Sequence, residues 1–323
     1  MTAKTHYEVV VVGGGAAGLS GALALSRARR AVLVIDEGRP RNAPAAGVHV
    51  YLGREGTPPA ELLAIGRREV TAYGGEVVTG TVTTAERTED GFRVVLDDGS
   101  AVTADRLLVT TGLVDELPDV AGLKERWGRD VLHCPYCHGW EVRDQAIGIL
   151  ATGPLAVHQA LLWRQWSKSV TVFTAEPVED GGRLAARDIT VVQGRVTGLE
   201  VTDDHLTGVR LASGEVFPCD AVTTAPRLTA RADILISLGL ETTEQEMDGH
   251  VIGSYVAADP TGATAIPGVW VAGNVARLTE QVIGSAAAGV MAGAAINGDL
   301  IAEETRLAVE NRRAAEETPD DRA

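Results

Sequence analysis

The chain begins with a pattern typical of a buried strand, a turn and a helix. Residues 8–12 (EVVVV) are almost wholly aliphatic, and the glycine-rich run GGGAAG follows at residues 13–18. An alanine- and leucine-rich stretch continues to about Arg29, and a second aliphatic run at residues 31–35 ends in Asp36. Continuous aliphatic runs are typical of parallel strands that are covered on both faces. The order predicts the first strand, helix and second strand of a doubly wound α/β domain.

Further patterns along the chain predict a second α/β unit and several short strands. Segments with helical periodicity, segments with the alternation of strands and glycine-rich helix ends follow one another without a long linker. The length of 323 residues favours two domains of ordinary size. The predicted elements are a helix over residues 59–73, short strands between residues 76 and 109 with a hairpin turn at 97–100, a strand at 146–150, a helix ending near Trp163 and a strand at 170–173. The predicted fold class is therefore α/β, with two Rossmann-like dinucleotide-binding domains.

Composition and charge narrow the classes of partner. Hydrophobic residues make up 45% and charged residues 23% of the chain, which is ordinary for a soluble globular protein. The formal net charge of -15 makes general affinity for nucleic acid or for an anionic membrane unfavourable. We find no apolar signal core at the start and expect no segment of membrane-spanning length. Three cysteines in such a chain predict a reducing, cytoplasmic environment.

The most reactive side chains lie together in the middle of the chain. Cys134 and Cys137 stand two residues apart in the run HCPYCHGWE at residues 133–141, and His138 follows directly. Sulfurs at this spacing can close a disulfide ring, and a helix that opened at the second cysteine would favour its thiolate. The pattern favours redox cycling, whereas the third cysteine, Cys219, is predicted to be a buried small hydrophobe.

Three other interpretations of the cysteine pair stay open at this point. The two sulfurs and a nearby histidine could supply three zinc ligands, although a closed site needs a fourth and Cys219 is alone. Cys134 to His138 also spells C-x-x-C-H, the c-type haem attachment motif, which requires export. An inert pair is the last alternative. We predict no metal site.

The glycine-rich run near the start has the residues and the context of a dinucleotide site. Gly13 permits a tight turn, Gly15 lets a pyrophosphate approach the backbone, and Gly18 lets the helix pack closely on the strand. Asp36, at the end of the next strand, stands where a carboxylate would bind the ribose hydroxyls of an adenosine. These residues predict dinucleotide binding.

Later motifs extend this pattern into a resemblance to a known family. A strand ends in Thr-Thr-Gly at residues 110–112, residues 266–274 read IPGVWVAGN, and QVIGSA at residues 281–286 begins a small-residue helix. With the CxxC between them, these motifs resemble the low-molecular-weight thioredoxin reductases over nearly the whole chain. The resemblance implies FAD as cofactor and a homodimer. It also implies an FAD domain of residues 1–115 and 248–323 that carries an inserted NAD(P)-binding-like domain of residues 116–247 with the CxxC.

The same resemblance implies which residues hold the flavin. Gly13, Gly15, Gly18 and Asp36 would hold the adenosine half, while Asn274 and the backbone of Val282 would lie near the ribitol and the ring. Asn274 replaces the usual aspartate of the family motif. The other implied FAD-binding residues are Ala16, Ala17, Glu37, Asn42, Thr111, Gly112, Gly273 and Gln281.

Two features of the inserted domain depart from the NADPH-dependent members of the family. Residues 151–156 read ATGPLA where the family carries G-x-G-x-x-A, and residues 174–180 read TAEPVED where it carries a basic cluster for the 2'-phosphate. A carboxylate near that phosphate would repel it. Another loop could supply the cation, or the site could prefer NADH. We favour the interpretation that this domain no longer binds NADPH.

The third departure concerns the residue after the CxxC. Thioredoxin reductases place an aspartate there as proton donor, whereas this chain has His138, which titrates near neutral pH. The run CPYCHGWE resembles more closely the flavin-dependent dithiol oxidases of gliotoxin and holomycin type. This resemblance implies that Cys134 exchanges with a small-molecule dithiol, Cys137 faces the flavin, His138 moves protons, and O2 is reduced to hydrogen peroxide.

Two rival functions remain. One is a thioredoxin reductase that uses NADPH, NADH or reduced ferredoxin. The other is a redox-inert flavin-binding or scaffold protein in which the CxxC has lost its role.

Overall fold

A computed structural model describes residues 5–153, 155–178 and 181–317 of the chain. The strands are β1 His6–Val12, β2 Val32–Asp36, β3 Glu76–Thr79, β4 Val82–Thr88, β5 Gly91–Leu96, β6 Ala101–Val109, β7 Leu113–Glu116, β8 Val131–Leu132, β9 Ile147–Leu150, β10 Val170–Thr174, β11 Thr190–Gln193, β12 Val196–Thr202, β13 His205–Leu211, β14 Val216–Pro218, β15 Ala221–Thr224, β16 Arg227–Ala230, β17 Thr242–Met247, β18 His250–Val256 and β19 Val269–Val271. The helices are α1 Ala16–Arg27, α2 Pro59–Ala72, α3 Pro135–His138, α4 Ala156–Trp163, α5 Gly181–Ala185, α6 Asp233–Ser237 and α7 Val282–Glu317, with a 3₁₀ helix at Gly273–Val275.

The first sheet is built from both ends of the chain. Its strands follow the order β3-β2-β1-β6-β5-β4, and β19 pairs with the second half of β6. The strands β3, β2, β1, β6 and β19 are parallel, whereas β5 and β4 are antiparallel to their neighbours. Helices α1, α2 and α7 cover one face with aliphatic side chains. The strand, helix and second strand predicted at the start of the chain are therefore confirmed as β1, α1 and β2.

A second sheet lies entirely in the middle of the chain. Its five parallel strands follow the order β11-β10-β9-β15-β8, and a separate three-stranded antiparallel sheet contains β12, β13 and β14. The aliphatic side chains of β9 and β10 pack against Trp163 of α4. Both predicted α/β units are present, and the fold class is confirmed.

A fourth sheet lies where the chain passes between these units. It has the order β17-β18-β16-β7, and β7 and β16 are antiparallel with Glu116 opposite Arg227. Every described strand of the second and third sheets lies between these two residues. Residues of α6 pack into the core of the first sheet, with Leu235 fully buried there. We propose that the inserted domain spans residues 117–226, so that its second boundary lies before the predicted one at 248.

Helix α7 is longer than the sequence pattern suggests. It spans 36 residues, and it is long and apolar enough by length and composition to cross a membrane. The expectation that no segment has spanning length is therefore wrong. A Cβ atom on Gly289 would lie 2.0 Å from the carbonyl oxygen of Ala17, so the glycine lets α7 pack directly on α1. The apolar first half of α7 is a packing face of the first domain.

Candidate active site

One large cavity of about 1260 Å³ runs from the glycine-rich turn after β1 to the cysteine pair. Gly18 is the single predicted site residue that does not line this cavity, because it lies behind the turn, where an added Cβ would be 1.9 Å from the carbonyl oxygen of Gly13. The predicted residues that do line it are Gly13, Gly15, Ala16, Ala17, Asp36, Glu37, Asn42, Thr111, Gly112, Cys134, Cys137, His138, Gly273, Asn274, Gln281 and Val282.

The glycine-rich turn fits the pyrophosphate of a dinucleotide. Gly13 has a φ of +101°, and a Cβ on it would lie 2.6 Å from the carbonyl oxygen of Thr110, so only glycine is free of strain there. Gly15 precedes α1 and faces open space, with no atom within 4 Å of an added Cβ. The backbone N–H groups at the start of α1 therefore face open space in the cavity, as phosphate binding requires.

Two neighbouring carboxylates at the end of β2 have different surroundings. Asp36 accepts a hydrogen bond of 3.0 Å from the backbone N–H of Gly14, which holds it against the glycine turn. Glu37 instead pairs with Arg39 at 2.6 Å and with Arg231 at 2.5 Å. Arg67 also lies 3.6 Å from the other carboxylate oxygen of Asp36, so both carboxylates have a cation nearby, but of the two only Asp36 is bonded to the glycine turn.

The two cysteines stand at the start of the short helix α3. Cys134 is the residue before its first turn, and Pro135 occupies the first helical position. The helix therefore opens after the first cysteine and not at the second, because Cys137 lies inside α3. The two sulfurs are 2.7 Å apart and both thiols are free. The side-chain amide of Gln281, which directly precedes α7, lies 4.0 Å from the sulfur of Cys134 and 3.9 Å from that of Cys137.

This arrangement separates the acidities of the two thiols. The hydrogen bond from Cys137, together with the backbone N–H groups of Tyr136 and Cys137, lowers the pKa of Cys134 to about 6 against the effect of burial. The same sulfur contact, followed by burial, raises the pKa of Cys137. In the reduced pair Cys134 therefore carries the negative charge, and Cys137 holds its proton.

His138 is a buried imidazole with unused hydrogen-bonding capacity. Neither ring nitrogen has a hydrogen-bond partner among the described residues, and both nitrogen atoms are buried. Burial lowers the pKa of His138, an effect that nearby Glu141 opposes and His49 reinforces. The ring is therefore mainly neutral near pH 7, and a neutral imidazole can accept a proton in the cavity.

Three polar residues that pair with one another were not predicted as site residues, and the charges of two of them, Glu141 and His49, act on His138. Glu141 follows the CxxC run, while His49 and Glu55 come from the loop before α2. The Nδ1 atom of His49 lies 2.6 Å from a carboxylate oxygen of Glu55, and its Nε2 atom lies 3.5 Å from Glu141. No spacing in the sequence joins residue 49 to residue 141, so sequence reasoning had no signal for this cluster.

Asn274 has a structural task in addition to its place in the cavity wall. Its side-chain amide donates to the backbone carbonyl oxygens of Arg277, Leu278 and Glu280, at 3.0, 3.3 and 3.0 Å. An aspartate could not donate these bonds. Asn274 therefore fixes the loop that delivers Gln281 to the cysteine pair.

The third cysteine is buried, and the metal-site interpretation of the cysteine pair has no support in the described residues. Cys219 is 3% exposed, as predicted for a small hydrophobe, and burial raises its pKa to about 12. Among the residues that the structure describes, no group of three or more His, Cys, Asp or Glu side chains is arranged to hold a metal ion.

The second nucleotide turn is described only in part. Thr152 donates a hydrogen bond of 3.1 Å to the carbonyl oxygen of Ala225, and Gly153 faces open space. Glu176 is exposed directly after β10. Pro154, Glu179 and Asp180, which contribute to the predicted departures, lie outside the described residues.

Comparisons with known proteins place the chain in a family. Residues 7–293 match the family described as pyridine nucleotide-disulphide oxidoreductase. Thioredoxin reductase sirT of Leptosphaeria maculans is 30% identical over 320 residues, covering 92% of this chain and 95% of that protein. Thioredoxin reductase tcpT of Claviceps purpurea (strain 20.1) is 27% identical over 323 residues, covering 94% of this chain and 97% of that protein.

A solved structure agrees over nearly the whole fold. The crystal structure of HlmI has 43% sequence identity and a TM-score of 0.90, covering 98% of this chain and 99% of that one. Members of the matched family bind FAD, which fits the cleared glycine turn and Asp36 described above. The chain therefore belongs to the pyridine nucleotide-disulphide oxidoreductases and is a thioredoxin reductase-like, FAD-dependent enzyme.

Proposed function

We propose that this enzyme is a dithiol oxidase that forms an intramolecular disulfide in a small natural-product dithiol. The observation that carries the proposal is the buried, unpartnered imidazole of His138 in the same cavity as the cysteine pair. A thioredoxin reductase of this family has an aspartate there, whereas a neutral imidazole suits removal of protons from thiols.

The first step is attack by a substrate thiolate on Cys134 of the enzyme disulfide. His138 removes the proton from the substrate thiol, a new sulfur–sulfur bond joins the substrate to Cys134, and the bond to Cys137 breaks. Because the contact with the Cys134 sulfur and then burial raise the pKa of Cys137, this sulfur is a poor leaving group unless it receives a proton. His138, which follows Cys137 in α3, supplies that proton.

The second step releases the product. His138, neutral again after the first step, removes the proton from the second substrate thiol, whose thiolate attacks the substrate sulfur of the mixed disulfide, and Cys134 leaves as a thiolate. A thiol with a pKa of about 6 is a good leaving group, so the acidity of Cys134 favours its role as the exchanging cysteine. The substrate has lost two protons and two electrons. One proton is on the Cys137 thiol, the other is on His138, and the reduced pair holds the two electrons with Cys134 as a thiolate. FAD, when bound, supplies the two-electron chemistry that links this dithiol to O2, with hydrogen peroxide as the product.

The rival function is a thioredoxin reductase in which a nicotinamide cofactor or ferredoxin delivers the electrons. The names of two relatives favour it. The exposed carboxylate of Glu176 after β10, where a 2'-phosphate would need a cation, favours the oxidase. We further propose that the enzyme is a cytoplasmic homodimer with no membrane partner.

Flavin absorbance measured without oxygen distinguishes the two functions. The purified holoenzyme receives NADPH, NADH or dithiothreitol in separate cuvettes. If the enzyme is a dithiol oxidase, only the dithiol bleaches the flavin, and hydrogen peroxide forms when air is admitted. Rapid bleaching by NADPH would overturn the proposal in favour of the reductase.

Variants of the cysteine pair test the assignment of the site. Cys137→Ser should retain FAD but lose bleaching by dithiol, because no enzyme disulfide can form. His138→Ala should retain FAD and slow bleaching by about 100-fold or more, the usual contribution of a general base. Cys219→Ala is the matched control and should behave as the wild type. Full activity in both site variants would show that the chemistry lies elsewhere.

A further inference from the structure

The side-chain amide of Gln281 reaches both sulfurs of the cysteine pair. Its nitrogen lies 4.0 Å from the sulfur of Cys134 and 3.9 Å from that of Cys137, within hydrogen-bonding reach of a sulfur atom. The NH2 group of a glutamine carries two donors, so a single nitrogen can donate to both sulfurs at once. The dithiol chemistry described above uses the cysteines and His138, and it gives this amide no role.

The contact of Gln281 with the cysteines joins two parts of the chain that are far apart in sequence. Gln281 directly precedes α7 of the first domain, whereas both cysteines lie at the start of α3, within the segment that we assign to the inserted domain. All three residues line the same cavity. The amide therefore reaches the sulfurs only while the inserted domain presents them to this cavity.

Hydrogen bonds hold the backbone on both sides of the Gln281 side chain. The side-chain amide of Asn274 donates to three backbone carbonyl oxygens within residues 277–280, which directly precede Gln281. The carbonyl oxygen of Gln281 accepts a bond of 2.9 Å from the N–H of Ser285 in the first turn of α7. A donor on a fixed backbone needs little rearrangement when charge develops beside it, which is the condition for electrostatic stabilisation of a transition state.

Negative charge develops on each sulfur in turn during the proposed reaction. In the first step the bond between Cys134 and Cys137 breaks, and charge builds on the Cys137 sulfur until His138 protonates it. In the second step the mixed disulfide breaks, and Cys134 leaves as a thiolate. Because the Gln281 amide is almost equally distant from the two sulfurs, it is placed to stabilise both leaving groups.

We propose that Gln281 is a catalytic residue that stabilises negative charge on both sulfurs, and that Asn274 is the positioning residue that holds it beside them. The order of the two steps rests on the proposed function. Gln281 gains and loses no proton, and no electrons pass through it. The sulfur contact is the largest cause of the pKa shifts of both thiols, and the bond from Gln281 is a smaller cause that lowers the pKa of Cys134 and Cys137 alike.

Two substitutions of Gln281 separate its role as a donor from its shape. Gln281→Leu removes both N–H groups, whereas Gln281→Glu keeps the shape but places a carboxylate, which cannot donate, beside the sulfurs. If the amide acts as a donor, the pH midpoint of Cys134 alkylation should rise by roughly 0.5–1 pH unit in Gln281→Leu. It should rise further in Gln281→Glu, because the carboxylate repels a thiolate. If Gln281 only filled space, the isosteric glutamate would be the milder change.

The midpoint is measured on holoenzyme that has been reduced with a phosphine, freed from the reductant without oxygen and treated with iodoacetamide at each pH. Peptide mass spectrometry measures the modification of Cys134, and each variant is first reconstituted with FAD to the flavin absorbance of the wild type. The rate of anaerobic flavin bleaching by dithiothreitol is measured in parallel. Gln193→Leu and Gln193→Glu make the same chemical changes at an exposed residue of β11 and serve as controls.

A double variant tests the role of Asn274. Asn274→Asp keeps the shape of the side chain but removes its bonds to the carbonyl oxygens of the loop. If Asn274 acts through Gln281, the substitution should raise the midpoint when Gln281 is present and should add no shift in Gln281→Leu. A direct effect of the new carboxylate on the sulfurs would persist in the absence of Gln281, and such a shift would overturn the role of Asn274.

The expected result for Gln281 is a midpoint that rises in Gln281→Leu, rises further in Gln281→Glu and stays unchanged in both controls. Bleaching should be roughly tenfold slower in Gln281→Leu, a smaller loss than that of an oxyanion-hole donor because sulfur is a weak acceptor. An unchanged midpoint or bleaching rate in Gln281→Leu, or a smaller rise in Gln281→Glu, would overturn the role of Gln281. Failure of the proposed function is recognised separately, because the wild type would then not be bleached by dithiothreitol, whereas the midpoints are measured without turnover.

Discussion

In the reduced enzyme, Cys134 should react with iodoacetamide before Cys137, with a pH midpoint of about 6. The hydrogen bond from the Cys137 thiol is the largest cause of this low pKa, and backbone N–H groups at the start of α3 add to it. At pH 7 a thiol of this pKa is about 90% thiolate, whereas an ordinary cysteine with a pKa of about 8.5 is about 3% thiolate. The ratio of the two thiolate fractions rises as the pH falls.

The reactivity gain is smaller than the gain in thiolate. A thiolate loses nucleophilicity as its pKa falls, by roughly tenfold for this difference of about 2.5 units. The net advantage over an ordinary cysteine is therefore about threefold at pH 7 and about thirtyfold at pH 5. Because burial slows reagent access to both sulfurs, the midpoint of the pH profile is a better measure than the absolute rate.

The assay uses holoenzyme reduced with excess dithiol under anaerobic conditions. After the dithiol is removed, iodoacetamide is added at each pH, and peptide mass spectrometry measures the modification of each cysteine. Cys137→Ala, which removes the hydrogen-bond donor, should raise the midpoint of Cys134. A midpoint near that of an ordinary thiol in the wild type, or earlier modification of Cys137, would refute the assignment of the charge to Cys134.

Three further predictions concern the fold and the cofactor site. Gly13→Ala places a Cβ atom 2.6 Å from the carbonyl oxygen of Thr110 at a positive φ, so it should lower the free energy of unfolding by roughly 1–3 kcal/mol. It should also lower the FAD content of the purified protein, which is measured by the flavin absorbance. Gly289→Ala should lower the melting temperature because α7 must move away from α1, whereas Gly298→Ala, with no atom within 4 Å of the added Cβ, should stabilise the same helix by up to about 1 kcal/mol. A lower melting temperature in both helix variants would contradict this packing argument. Because burial raises its pKa to about 12, Cys219 should resist alkylation in the folded protein at pH 8, and rapid modification there would contradict its burial.

Local patterns were sufficient to predict the first sheet. The aliphatic runs at residues 8–12 and 31–35 correspond to β1 and β2, and the helix expected over 59–73 is α2 at Pro59–Ala72. These elements are recognisable because burial of a strand or helix face imposes a period on neighbouring residues. The cysteines were found for a similar reason, since CxxC is a local motif.

Long-range contacts could not be predicted in this way. The contact of His49 with Glu141 joins two loops that are far apart in the chain, and no period connects them. The start of α3 was within reach of the sequence, because a proline directly after Cys134 favours the first helical position. The attachment of α6 to the first domain depends on how β16 pairs with β7, which is a property of the tertiary fold.

The pairing of β7 with β16 also makes the protein modular. With the boundaries proposed above, the chain leaves the first domain after Glu116 and returns at Arg227, and these residues are opposite each other in adjacent antiparallel strands. Their Cα atoms are therefore about 5 Å apart, close enough to be joined by a two-residue hairpin turn. Residues 117–226 thus occupy the position of a hairpin loop. Exchanging them for another domain whose ends are equally close would preserve the strand order and register of the first and fourth sheets.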